Sequence, residues 1–260
     1  MSDQNAVPIR PASTILLLRD DPGFEVLMVE RHHQIDFASG ALVFPGGKVD
    51  PSDERHDPDL IDGLEGLPDW EIPFRVAALR EAFEEAAVLL ARKGGELAGP
   101  ELIEALEDER KAVDAGELSM TEFAKQTGLT LALDLLVPYA RWITPGFMPK
   151  RFDTLFYLAR MPDRQKPVHD GREMVDCCWI APDEALKAQQ RGERTIIFPT
   201  RMNVERLAAF TSTEQALHEV PAQKMVTVEP WIEDLDGKKV LKIQPDAGYG
   251  DPVEPLDSIM

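Results

Sequence analysis

The sequence predicts a mixed α/β fold with an inserted helical element. Three observations carry that expectation. The chain runs β-rich, helical, helical again, β-rich and helical; its apolar runs are short and bounded by turn residues; and it holds no internal repeat or low-complexity segment. At 260 residues it is long enough to bury a substantial core, and it reads as one domain over 1–260.

The elements follow in order. "STILLLRD" (13–20) and "FEVLMVERH" (24–32) are apolar runs separated by the turn signal "DDPG", a strand–turn–strand pair. "GALVFPGGK" (40–48) is a short strand running into a Pro-Gly-Gly break. Residues 51–72 are rich in Asp, Pro and Gly and read as an excursion. From Phe74 to Arg92 the pattern is helical, with Leu79, Phe83, Ala86 and Leu90 at three- and four-residue steps and "KGG" as the stop. Within 95–137, two amphipathic pieces at 100–128 form a helical insert placed to cover whatever site lies beneath. "ARWITP" (140–145), "FDTLFYLAR" (152–160) and "VDCCWIAP" (175–182) return to β character, and "PDEALKAQQRG" and "FPTRMNVERLAAF" read as helices. Residues 200–260 form a C-terminal extension that closes with a hairpin around Asp236-Gly237.

Composition excludes several classes of function. With 47 acidic against 28 basic residues, a net charge of −19, the surface repels nucleic-acid phosphates. No apolar run reaches the roughly 18–20 residues of a membrane span. "MSDQNAVPIRPAS" lacks a secretory signal, "DSIM" is not a peroxisomal address, and the only cysteines are the adjacent Cys177 and Cys178. These features read as cytoplasmic. A small anionic partner needs metal ions or a local group of Arg and Lys.

One short stretch concentrates the chemistry. In "RVAALREAFEEAAVLLAR" (75–92), a helix advances about 100° per residue, so with Glu81 at zero Glu84 falls near 300° and Glu85 near 40°. The three carboxylates share a face, and Leu79, Phe83, Ala86 and Leu90 fall on the opposite one. Like charges one turn apart repel, and Arg80 relieves part of that through Glu84 at i+4. A solvated acidic face is the bland reading. The alternative is a site for hard divalent cations, which take carboxylate oxygens. "FPGGKVD" (44–50) favours the second, because a Gly-Gly turn lets backbone approach phosphate or metal closely.

Together these segments resemble the Nudix hydrolase family, whose box reads G-x5-E-x7-REUxEExGU with U a bulky aliphatic. Gly47 matches the opening glycine and "REAFEEAAV" (80–88) the second half. Asp53 stands where the family has Glu, a long insertion separates it from Arg80, Ala82 replaces the aliphatic, and Ala87 replaces the late glycine. Alanine suits a helix interior better than glycine, which makes that last change mild. The split box, with "RWITP" and "RFDTLFYLA" after it, resembles the branch that includes the peroxisomal coenzyme A diphosphatases of animals. The resemblance covers roughly residues 12–185.

The resemblance implies a Nudix-type α/β/α sandwich with a mixed sheet. It implies a hydrolase dependent on Mg²⁺ or Mn²⁺ that cuts the diphosphate of a nucleotide-containing small molecule. Coenzyme A or acyl-coenzyme A is the first substrate it suggests; ADP-ribose, NADH and nucleotide sugars, or a nucleotide sensor that cuts nothing, are the alternatives. By residue, it implies Glu81, Glu84 and Glu85 as metal ligands, Arg80 as the group orienting them, and Gly46 and Gly47 as the loop of the site. Glu85 or Glu173 is the expected general base. Arg31, Lys150 and Arg151 are the expected substrate cations, and the family admits a homodimer. Asp53 has no settled role, and Trp142 reads as core rather than as a stacking platform.

Overall fold

Why the first strand forms is plain from its residues: the continuous apolar run Ile15–Leu18, after the β-branched Thr14, fits a strand buried on both faces. The computed structural model describes residues 7–31, 40–169, 171 and 174–256. Its strands are β1 (Ile9–Arg19), β2 (Glu25–Arg31), β3 (Leu42–Val43), β4 (Gly46–Lys48), β5 (Ile61–Asp62), β6 (Ala91–Lys93), β7 (Glu96–Leu97), β8 (Thr130–Ala132), β9 (Val137–Ile143), β10 (Arg151–Arg160), β11 (Met174–Ile180), β12 (Thr227–Val228), β13 (Trp231–Leu235), β14 (Lys238–Lys242) and β15 (Glu254–Pro255). Its α-helices are α1 (Ile72–Ala86), α2 (Pro100–Ala105), α3 (Glu107–Asp114), α4 (Met120–Thr127), α5 (Pro182–Gln190), α6 (Phe198–Leu207) and α7 (Thr213–Glu219).

The main sheet is mixed, in the order β11-β2-β1-β10-β9-β12, with β3 beside β2 and β4 beside β1. At its centre β1 runs parallel to β10 over ten register pairs, from Ile9↔Arg151 to Leu18↔Arg160. Odd and even residues of β1 face opposite sides. Ile15 and Leu17 join Leu79, Phe83, Leu155 and Tyr157 beneath α1, while Leu16 and Leu18 join Tyr139, Trp142, Phe198 and Leu207 on the far side. A sheet covered by helices on both faces is the α/β/α sandwich that the sequence predicts.

Helix α1 differs from expectation at its end. It stops at Ala86, and Leu90, expected on its apolar face, lies in extended chain leading to β6. Ala87 adopts the left-handed conformation (φ 52°), its N–H returning to Phe83 O (3.1 Å) and that of Val88 to Ala82 O (3.0 Å). Alanine therefore stands where a left-handed turn favours glycine, so this departure from the box is a strained one. Gln165 then secures the exit, accepting from Leu89 N–H (3.0 Å) and donating to Leu89 O (3.0 Å) and Ala98 O (2.8 Å).

The inserted helices hold this same end of α1. Arg110 of α3 donates to Glu84 O (2.8 Å), one of the carbonyls a helix terminus leaves open. The C-terminal segment closes the opposite face. Tyr249 packs edge-on to Trp142 (5.4 Å) and donates to Asn203 Oδ1 (2.8 Å). Trp142 is accordingly buried. The β13–β14 hairpin turns at Asp236 and Gly237, both at positive φ. Among the described residues, no helix is long and apolar enough to cross a membrane.

Candidate active site

The Gly-Gly turn and α1 meet by direct contact. A Cβ on Gly47 would lie 2.4 Å from Glu81 Oε1, and one on Gly46 2.6 Å from Ser13 O. At Gly46 the obstruction is backbone and excludes a side chain, while at Gly47 it is the carboxylate end of Glu81, which a side chain would displace. Gly46 N–H donates to Glu85 Oε2 (2.9 Å), joining the turn to the helix a second time.

Arg80 organises the remaining carboxylates. Its Nε and Nη2 each reach Asp53 at 3.1 Å, its Nη1 lies 2.9 Å from both Glu81 Oε1 and Glu84 Oε2, and its Nη2 donates to Lys48 O (2.7 Å). Every nitrogen of the guanidinium is thus committed inside the protein, so Arg80 positions other groups and has none left for substrate. Asp53, in doubt from the sequence because of the long insertion, is brought onto Arg80 and is 1% exposed.

These groups are not a solvated face. Arg80, Glu81, Glu84 and Glu85 are between 5% and 9% exposed. Asp53, Glu81, Glu84 and Glu85 together outweigh the one guanidinium, an excess of negative charge that burial makes costly. Burial pushes the Glu84 carboxyl up to about 8 against the pull of Arg80, with Glu81 adding to the rise. Burial also raises Asp53, against Arg80 and its backbone hydrogen bond. Burial works against the charge on Arg80 too, but Glu81, Asp53 and Glu84 outweigh it and hold the guanidinium protonated.

The donor set fits a hard divalent cation: carboxylate oxygens, a glycine-lined cradle and surplus negative charge. Glu81, Glu84 and Glu85 would hold it. Among the described residues no three metal-binding side chains already converge on one ion-sized point. One oxygen each of Glu81 and Glu84 rests on Arg80, and one of Glu85 on Gly46 N–H. Ser13 Oγ, fully buried and without a hydrogen-bond partner among the described residues, lies beside this cradle, because Ser13 pairs with Gly47 across β1 and β4. Its strand position gave no hint of this in the sequence.

The other expected residues are spread more widely. Arg151 donates to Thr144 O (2.8 Å) and Glu229 Oε1 (2.6 Å) at the outer end of β10, and Lys150 is exposed next to it. Glu173 and the side chain of Arg31 lie outside the described residues. Cys177 and Cys178 occupy successive positions of β11 and form no disulfide among the described residues.

Residues 59–207 match the family model described as the NUDT19 Nudix domain. That match contains α1 and leaves the Gly-Gly turn outside. The chain is 30% identical over 183 residues to the putative nudix hydrolase 7 of Caenorhabditis elegans, a match covering 70% of this chain and 55% of that relative. The chain thus spans little more than half the length of that relative. It is 26% identical over 284 residues to the acyl-coenzyme A diphosphatase NUDT19 of Gallus gallus, covering 86% of this chain and 74% of that one. Among solved structures, a NUDIX hydrolase from Alicyclobacillus acidocaldarius superposes with a TM-score of 0.68 at 29% identity, covering 82% of this chain and 96% of that one.

Proposed function

The chain belongs to the Nudix hydrolase family, and from that premise we propose that it is a Mg²⁺- or Mn²⁺-dependent pyrophosphohydrolase that opens the phosphoanhydride of a nucleotide-linked diphosphate. Coenzyme A or an acyl-coenzyme A is the proposed substrate, from the relatives named as acyl-coenzyme A diphosphatases. The observation that carries the reading is the buried, unbalanced set of carboxylates against the Gly-Gly turn.

Charge supplies the logic. Substrate diphosphate and helix carboxylates are both anionic, so they share a site only across cations. When bound, a divalent cation neutralises phosphoryl oxygens and acidifies water. The protein's own groups do the rest. Glu81, Glu84 and Glu85 present oxygens from one helix face, and Arg80 with Asp53 beneath fixes where those oxygens sit. The Gly46–Gly47 backbone packs directly against the helix carboxylates, with Gly46 N–H holding Glu85. Glu85 takes the proton of the attacking water, with Glu173 as the alternative base. Positioning and electrostatics carry most of the acceleration in such transfers.

The test is a product screen by liquid chromatography and mass spectrometry. Coenzyme A, acetyl-coenzyme A, ADP-ribose, NADH and a nucleotide sugar are each incubated with Mg²⁺, Mn²⁺ or EDTA. Metal-dependent release of 4′-phosphopantetheine and 3′,5′-ADP is expected, and Glu84→Gln with Glu85→Gln should abolish it. Cleavage of another compound removes the substrate assignment and leaves the chemistry. Binding without cleavage at any metal concentration makes the chain a nucleotide sensor. Full activity in the double variant refutes the site.

A further inference from the structure

The insertion that splits the box ends in Trp70, and the indole is 50% exposed, uncommon for so large an apolar side chain. Its pose is nonetheless fixed. The ring meets Phe74 edge-on (6.1 Å, 80°), and the Arg141 guanidinium lies 5.4 Å from its centre. Arg141 is itself held by a bidentate pair with Asp153, Nε–Oδ1 2.8 Å and Nη2–Oδ2 2.6 Å. A half-exposed aromatic ring clamped at its edge and beside a planar cation is the arrangement on which a nucleobase stacks.

Its position relative to the carboxylates can be reached two ways. Trp70 lies in the 3-10 turn Asp69–Glu71 that leads into α1, and nine α-helical steps plus two 3-10 steps put it about 17 Å from Glu81 along that axis. Across the sheet, Gly47, against which Glu81 rests, pairs with Ser13, Ser13 with Leu155, and Leu155 with Arg141. Three strand spacings of about 4.8 Å give about 14 Å. Glu81 against Gly47 of β4, Arg75 over Tyr157 of β10 and Trp70 beside Arg141 of β9 show that α1 and the turn before it lie across the strands. Between the carboxylates and Trp70 the floor is Pro11, exposed, and Asp153, which face each other across β1 and β10. That span is on the scale of one nucleotide with a bridging cation at its diphosphate.

Resting on the pyrophosphohydrolase reading, we propose that Trp70, with Arg141 locked by Asp153, is the platform on which the planar base of the nucleotide substrate stacks. The diphosphate then reaches back along α1 to Glu81, Glu84 and Glu85. On this reading the inserted segment that splits the box delivers the aromatic ring.

The test compares wild type with Trp70→Ala, Trp70→Phe and, as a control on an exposed tryptophan elsewhere, Trp231→Ala. Two readouts are taken: KM and kcat for whichever substrate the screen identifies, and quenching of tryptophan fluorescence by AMP in EDTA. Trp70→Ala should raise KM about 5- to 150-fold, the range for one lost base stack, while kcat moves far less. Trp70→Phe should stay within about threefold of wild type, and AMP quenching should disappear in Trp70→Ala alone. Inorganic pyrophosphate, which has no base, should inhibit wild type and Trp70→Ala equally. Equal KM values in wild type and Trp70→Ala overturn the platform and leave the hydrolase reading standing. A parallel loss of affinity for AMP and pyrophosphate also overturns it, reducing Trp70 to a cover for the Arg141–Asp153 pair. If wild type cuts nothing, the AMP measurement still decides the platform.

Discussion

Removing the Arg80 guanidinium should expose how unequal its partners are. In Arg80→Ala the charge that serves Asp53, Glu81 and Glu84 is lost, while all three carboxylates stay buried. Summing its charged hydrogen bonds at about 1.5–3 kcal/mol each overstates the cost, because the bonds act as a unit. The better guide is a buried pair broken on one side, about 3–5 kcal/mol, or a Tm drop of about 6–10 °C at this chain length. Most of it belongs to Asp53, whose side chain is 0% exposed, against 10% and 11% for Glu81 and Glu84. Asp53→Asn in the Arg80→Ala background removes the stranded charge and should recover about 2 kcal/mol. The assay is urea denaturation of the two single variants, the double variant and wild type at pH 8 in EDTA. Additivity within about 0.5 kcal/mol would refute the view that Arg80 and Asp53 form one unit.

Other expectations follow from the same structure. Ala87→Gly should raise stability by about 1 kcal/mol, seen as a Tm gain of about 2 °C, because it relieves a left-handed alanine; a loss of stability contradicts the strain. The Glu84 carboxyl, pushed up to about 8 from an ordinary 4.5, binds its proton more tightly folded than unfolded, so this group's contribution is present at low pH and lost as pH rises toward 8. Thermal scans in EDTA and in Mg²⁺ should therefore show a metal-induced Tm gain that grows from pH 6 to 8.5, and a flatter dependence in Glu84→Gln. Gln165→Leu strands the backbone of Leu89 and Ala98 and should cost about 2–4 kcal/mol by denaturant titration. A cost under 0.5 kcal/mol would mean that solvent already satisfies those groups.

Much of the site was readable before any coordinates, because helical periodicity converts spacing directly into direction. Glu81, Glu84 and Glu85 had to share a face, and a Gly-Gly turn before them had to admit a close approach. What spacing cannot reveal is a partner distant in sequence. Asp53 appeared displaced by the insertion, yet it sits on Arg80. The exposure of the acidic face was also misjudged by the simplest reading, since burial depends on the turn and on neighbouring elements packing around α1. The end of α1 was missed because the residue that reverses the chain is Ala87, and no glycine flags it. Trp70 gave no periodic signal, standing alone in a Pro- and Asp-rich stretch. The partnership of β1 with β10 was equally invisible, as alternation shows that a strand has two faces and says nothing of its neighbour.

That partnership orders events in time. β1 occupies the middle of the sheet, and its mate Arg151–Arg160 is synthesised long after it. Until that segment emerges, β1 offers a long apolar edge with nothing parallel to pair with, and closing so wide a loop is slow. Over that interval β1 is half-mated, with only β2 and β4 for cover. A message interrupted before residue 151 yields a chain that cannot complete its own centre.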